Sequence, residues 1–162
     1  MPYCINTAAP WEWGPAMWSF FYSLALTRNL EFKPLFFLAI DAIPCSVCRM
    51  HARAYARKNP PPVNTGERAF EYTHKFQNKV AEQSRLRRVP DILNTFARYE
   101  GVNLSASATE MLDKLKGTLP RFCKDGTGMY TVGYCKAASI KTRYSNLVSK
   151  IEECGAFGRH HR

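Results

Sequence analysis

Residues 44–58 read PCSVCRMHARAYARK and predict a helix whose two ends are both marked by proline. Pro44 opens it, since a proline at the start of a helix gives up an N–H that would have no partner there. Pro60–Pro62 closes it, because no helix continues through three prolines. Outward from this helix, the same kind of punctuation predicts helices over about 15–27, 34–42 and 66–84, the last reaching at most residue 88. Four helices with short connections predict a bundle.

The remainder of the chain predicts further helices and one loop. Helices are expected over about 91–99, over 107–116 after the capping box Ser107–Glu110, and over 139–153. Glycine-rich residues 117–135 predict a loop, with 129–134 as a short strand candidate. The prediction is an all-α protein: a four-helix bundle over residues 1–90, and a helical extension with a glycine-rich loop over 91–162, packed on the same domain.

The composition predicts a globular chain. It has 162 residues, 46% of them hydrophobic, enough for a single packed core. The longest apolar run, Leu35–Ile40, is far shorter than the ~20 residues that span a membrane. The N-terminus lacks the basic start of a secretory signal, so a cytoplasmic location is expected.

Positive charge is concentrated in the middle of the chain. The net charge is +10, and residues 49–88 hold ten basic but only three acidic side chains. A basic band of this kind attracts nucleic acid or the phosphates of a cofactor. A solvated helix face explains the same pattern.

Of the six cysteines, Cys45 and Cys48 form a CxxC pair at the start of a predicted helix. This spacing puts both sulfurs on one face within disulfide reach, and the helix N-terminus favours a thiolate, which predicts a lowered thiol pKa. CxxC also fits half of a zinc site, with His51 as a third ligand, but Cys123 and Cys135 have eleven residues between them rather than two to four. A thioredoxin-type motif needs a βαβ setting, which the sequence does not show.

Four motifs in order then carry a family resemblance. They are WGPAMW (13–18), PCSVC (44–48), NP (59–60) and HKFQNKVA (74–81). Together they resemble the Erv/ALR family of FAD-linked sulfhydryl oxidases, whose pattern is WGxxxW, PCxxC, NP and HNxVN. The resemblance covers about residues 11–84. It implies that a helical bundle holds the flavin, in keeping with a chain that has no GxGxxG motif.

The resemblance also implies the chemistry. A protein dithiol reduces a Cys45–Cys48 disulfide, electrons pass through flavin, and O2 is reduced to H2O2. Cys48 is implied as the sulfur next to the isoalloxazine ring, where it attacks the flavin, and Cys45 as the exposed partner that exchanges with the substrate. Family members dimerise through their first helices, so Phe20 and Leu24 are expected on the surface of a homodimer. The unusual tail suggests an origin in a large DNA virus, with the host cytoplasm or virion as its location.

The implied cofactor site departs from the family at Tyr22, which replaces a histidine, and at Gln77 and Ala81 within the HNxVN motif. For His74, a core histidine that bonds within the protein is as good an explanation as a contact to the cofactor. A basic residue after that motif is implied as a partner of the flavin pyrophosphate. The full set of implied FAD-binding residues is Trp13, Gly14, Trp18, Tyr22, His74, Gln77, Asn78, Ala81 and Arg85.

The other cysteines leave alternatives open. Family members add a second pair that shuttles electrons from substrate to the active-site disulfide. Cys123 and Cys135 are candidates for a structural disulfide that closes the glycine-rich loop. The shuttle has four candidates, and unreactive thiols explain these residues equally well: Cys4, Cys123, Cys135 and Cys154. The alternative function is a non-enzymatic basic module that binds nucleic acid or a partner, with structural or zinc-binding cysteines.

Overall fold

The computed structural model describes residues 9–84, 89–119 and 136–155. Within these ranges the regular structure is helical, with one isolated bridge between Glu31 and Asn64, which confirms the all-α prediction. Of the predicted loop over 117–135, residues 117–118 are helical instead, because the helix that precedes them continues to Thr118. Residues 120–135 with the strand candidate, and Arg85, Cys4, Cys123 and Cys135, lie outside the described residues. The helices are α1 (Pro10–Ala25), α2 (Lys33–Asp41), α3 (Ser46–Lys58), α4 (Glu67–Ser84), α5 (Ile92–Tyr99), α6 (Leu104–Thr118) and α7 (Lys136–Glu153).

Helix α1 begins five residues before the predicted start at Pro15. The Glu12 carboxylate accepts a hydrogen bond from the Ala9 backbone N–H at 2.8 Å, and Pro10 occupies the first turn. These local contacts satisfy the helix start, so Pro15 lies inside the helix instead of opening it.

Helix α6 also begins earlier than predicted, and the capping box at Ser107 is not used. Asn103 caps the helix, its side-chain oxygen accepting the Ala106 N–H at 2.9 Å. The Ser107 hydroxyl instead lies 3.0 Å from the hydroxyl of Ser19 on α1. The Ser107 hydroxyl therefore contacts a distant helix instead of capping its own helix, as the local pattern had predicted.

The core is built around α1, which packs against α4 and α6, while α2 packs against α3 and α7. Phe20 and Leu24 of α1 are fully buried in this core within one chain. The prediction that they form a dimer surface is therefore wrong, because helices of the same chain cover them. No helix among the described residues is long and apolar enough to cross a bilayer. The boundary at residue 90 between bundle and extension stays a prediction.

Candidate functional site

Both CxxC cysteines lie at the N-terminus of α3. Cys45 is the N-cap residue, and its Sγ accepts a hydrogen bond from the Cys48 backbone N–H at 3.3 Å. The Arg49 side chain donates to the Ile43 carbonyl oxygen at 2.5 Å. This bond ties the first turn of α3 to the segment that precedes it, so the two sulfurs are held at a defined helix end.

The two cysteines are in different bonding states. Cys45 is fully buried and disulfide-bonded, whereas Cys48 is half-buried with a free thiol. The expected Cys45–Cys48 disulfide is therefore absent, and the expectation that Cys45 is the exposed sulfur is wrong. Cys154 is also free, so the cysteine bonded to Cys45 is not among the described residues.

The prediction of a lowered pKa at Cys48 is wrong. Burial raises the pKa of the Cys48 thiol above its ordinary value, while its hydrogen bond to the backbone and the nearby Arg49 guanidinium act in the opposite direction. The helix N-terminus does stabilise the thiolate as the sequence suggested, but desolvation outweighs it.

An aromatic wall formed by Trp18, Tyr55 and Phe76 connects α1, α3 and α4. The buried Phe76 ring lies 5.4 Å from Trp18 and 5.2 Å from Tyr55, measured between ring centroids. Trp18 and Tyr55 are half-buried, so each keeps some ring surface accessible. Cys48 lies on α3 two turns before Tyr55, a spacing that places both on the same side of that helix.

Two of the residues that depart from the family pattern are bonded to each other. The Tyr22 hydroxyl donates to the Gln77 side-chain oxygen at 2.5 Å, which joins α1 to α4. The fully buried Tyr22 ring also stacks on Tyr99 of α5, with centroids 4.7 Å apart and planes 16° apart. Burial raises the pKa of Tyr22, so its phenol stays protonated and donates at any physiological pH. No motif near Tyr99 in the sequence marks this contact.

We expect Tyr22→Phe to lower the free energy of unfolding by about 1 kcal/mol, because it removes this buried hydrogen bond and leaves the ring in place. Urea denaturation of wild type, Tyr22→Phe, Gln77→Ala and the double variant measures the coupling between the two side chains. A coupling energy of zero would contradict the bond.

The other implied cofactor residues are placed as follows. His74 is half-buried and its Nε2 lies 2.9 Å from the Pro90 carbonyl oxygen, while its Nδ1 lies 3.3 Å from the side-chain nitrogen of the exposed Asn78. Trp13 is buried in the core, which agrees with a packing role, and Ala81 is half-buried. A methyl group at Gly14 would meet nothing within 4 Å, so space is open beside it.

Residue types that contact a flavin ring are present on these helices. Cys48 is a half-buried free thiol, and Trp18 and Tyr55 keep part of their ring surfaces accessible. The polar residues implied for the nucleotide end bond within the protein, Tyr22 to Gln77 and Asn78 to His74. Gln77 uses its side-chain oxygen in that bond and Asn78 is exposed, so both amides keep N–H donors.

The zinc hypothesis draws on His51, which is exposed on α3. In the part of the chain that the structure describes, His, Cys, Asp and Glu side chains form no group of three or more suited to a metal ion.

The described residues form a helical bundle with a CxxC motif at the start of α3 and an aromatic wall that joins α1, α3 and α4, the class that the Erv/ALR resemblance implies. Comparison with curated proteins finds similarity to FAD-linked sulfhydryl oxidases of African swine fever virus: 32% identity over 77 residues for the Kenya 1950 isolate and 30% for the Malawi Lil 20-1 isolate. Each alignment covers 43% of this chain and 65% of the relative, so the chain spans just under two thirds of the length of the relatives it matches. No protein-family model matches the chain, and no solved structure matches it significantly.

Proposed function

We propose that this protein is an FAD-linked thiol oxidase that converts dithiols in proteins to disulfides and reduces O2 to H2O2. One observation carries the proposal: Cys48 is a free, half-buried thiol at the start of α3, while its neighbour Cys45 is disulfide-bonded elsewhere. The similarity to viral FAD-linked sulfhydryl oxidases supports it, and supports a viral origin as well.

The bonding states of Cys45 and Cys48 correspond to one stage of a disulfide relay. In the relay, the thiolate of a third cysteine attacks Sγ of Cys45 in a Cys45–Cys48 disulfide. A bond forms between that cysteine and Cys45, the Cys45–Cys48 bond breaks, and Cys48 leaves as a thiolate. A disulfide-bonded Cys45 beside a free Cys48 is the product that this step leaves. We therefore assign the shuttle role to one of Cys4, Cys123 and Cys135.

Local groups assist the departure of Cys48. Burial raises the pKa of the Cys48 thiol, while its backbone hydrogen bond and the Arg49 guanidinium act in the opposite direction and stabilise the thiolate that leaves. The pKa stays above its ordinary value, so these two groups offset only part of the effect of burial. The tendency of Cys48 to leave as a thiolate therefore depends on its burial, on its backbone hydrogen bond and on Arg49.

FAD would be held with its isoalloxazine ring at Cys48, Trp18 and Tyr55. Asn78 and Gly14 are candidates for contacts to the rest of the cofactor. When bound, it supplies the two-electron acceptor that couples thiol oxidation to oxygen. The overall reaction balances as dithiol plus O2 giving disulfide plus H2O2, with both protons of the dithiol ending on peroxide.

Oxygen uptake driven by dithiothreitol tests the function. We expect one O2 consumed and one H2O2 formed for each dithiol oxidised, and disulfide formation in a reduced, unfolded protein added as substrate. A folded, flavin-loaded protein that consumes no oxygen would contradict the proposal. A colourless protein with strongly salt-dependent affinity for DNA would support the alternative of a basic binding module.

A further inference from the structure

Two arginines of α3 bond back to the end of α2. The Arg49 guanidinium donates to the Ile43 carbonyl oxygen at 2.5 Å. Arg53, one turn farther along α3, donates from its Nε to the Asp41 carboxylate at 2.7 Å. Asp41 is the last residue of α2, and Ile43 lies in the connection between the two helices. We call this connection, residues 42–45, the α2–α3 corner.

The α2–α3 corner is buried, and Ile43 is bonded to both helices. All four residues of the corner are buried, and Pro44 has no N–H to donate. The Ile43 N–H bonds to the Ile40 carbonyl oxygen of α2 at 3.2 Å, while the Ile43 carbonyl oxygen accepts the bond from Arg49. Because a buried carbonyl group needs a partner, the Arg49 side chain completes a continuous link from α2 through the corner to α3.

Cys45 is the last residue of this corner and the N-cap of α3. Its carbonyl oxygen accepts the Arg49 backbone N–H at 2.9 Å, and its Sγ accepts the Cys48 N–H at 3.3 Å. The position of Cys45 relative to Cys48 is therefore set on one side by the first turn of α3 and on the other by the corner that Arg49 joins to that turn.

The stability of α3 alone does not account for an arginine at this position. Arg49 lies near the N-terminus of the helix, where the helix dipole disfavours a cation, and residues 46–58 include no acidic side chain to offset the charge. Its side chain is half-buried and donates to an uncharged oxygen of the corner, whereas the charge of Arg53 is paired with Asp41. The bond from Arg49 thus acts on the geometry of the corner.

In the proposed relay, Cys45 exchanges its disulfide partner between Cys48 and a third cysteine, which requires sulfurs held within bonding reach. We propose that Arg49 is a positioning residue for this exchange, with Arg53 as a weaker second tie, because both hold the α2–α3 corner against α3. The inference rests on the proposed function and adds to it two residues outside the CxxC motif. Without these bonds, closing the Cys45–Cys48 disulfide also has to order the corner, at a cost in conformational entropy.

Equilibration of the intact protein with glutathione at pH 7, without oxygen, tests this role. One oxidised glutathione and the two thiols give the Cys45–Cys48 disulfide and two reduced glutathiones, and mass spectrometry of acid-quenched, alkylated protein gives the equilibrium constant. We expect Arg49→Gln to lower this constant about tenfold and Arg53→Gln about threefold. Arg57→Gln removes the same charge from an exposed site on the same helix and should leave the constant unchanged.

The choice of pH separates positioning from a purely electrostatic action of Arg49. Burial keeps the Cys48 thiol protonated at pH 7, so loss of the charge alone would change the constant only at a higher pH, where the thiol ionises. Equal constants for Arg49→Gln and Arg57→Gln at pH 7 would overturn the inference. If Arg49→Gln does not fold, equal constants for Arg53→Gln and Arg57→Gln overturn it instead.

The same measurement distinguishes this inference from the proposed function, because it uses neither oxygen nor turnover. A wild-type protein that consumes no oxygen would contradict the proposed function, while a tenfold lower constant in Arg49→Gln would still support the positioning role. An unchanged constant in an active oxidase would overturn the positioning role alone.

Discussion

Cys48→Ser is expected to abolish dithiol-driven oxygen uptake, with kcat reduced by roughly a thousandfold or more. Serine fits the same half-buried position, but its hydroxyl forms no disulfide with Cys45 and does not leave as a stable anion. The oxygen electrode measures the rate, and the visible spectrum checks that the flavin is still bound.

Cys154→Ser is the matched control for Cys48→Ser. Cys154 is likewise a free, half-buried thiol whose pKa is raised by burial, but it follows the last turn of α7. Its replacement should leave kcat within a factor of about two, because it takes no part in the proposed relay. Substantial activity in Cys48→Ser would remove this sulfur from the mechanism.

Phe20→Ala is expected to lower the free energy of unfolding by about 3–5 kcal/mol, the usual effect of removing a large aromatic side chain from a core. The reason is that Phe20 is fully buried within one chain. The loss should therefore be the same at low and high protein concentration. Urea denaturation at two concentrations a hundredfold apart measures it.

Leu93→Ala provides the control for Phe20→Ala. Leu93 is 77% exposed on α5, so its truncation should change the free energy of unfolding by less than about 0.5 kcal/mol. If Phe20 instead lay in a dimer interface, the effect of Phe20→Ala would depend on concentration through mass action. That dependence would contradict the burial of Phe20 within one chain.

Features set by neighbouring residues were predictable from the sequence. Helix α3 begins and ends where Pro44 and Pro60–Pro62 require, and the CxxC pair accordingly lies at its first turn. Helices α2 and α4 likewise have nearly the predicted bounds, because proline and glycine act on the residues next to them.

Features that depend on distant residues were not predictable. Cys45 is buried and disulfide-bonded to a cysteine other than Cys48, and Tyr22 contacts Gln77 and Tyr99 only once the helices are packed. The raised pKa of Cys48 was not predictable for the same reason. Its cause is burial, which arises only in the packed bundle, whereas the sequence shows only the helix terminus, which acts in the opposite direction.

Anaerobic titration of the purified protein tests whether Cys48 delivers electrons to a bound flavin, as proposed. We expect a yellow protein whose flavin absorption is bleached by one equivalent of dithiothreitol beyond that needed for its disulfides, and returns when air is admitted. In Cys48→Ser the same titration should leave the flavin oxidised. A protein that binds no flavin, or whose flavin is reduced equally fast without Cys48, would contradict the claim.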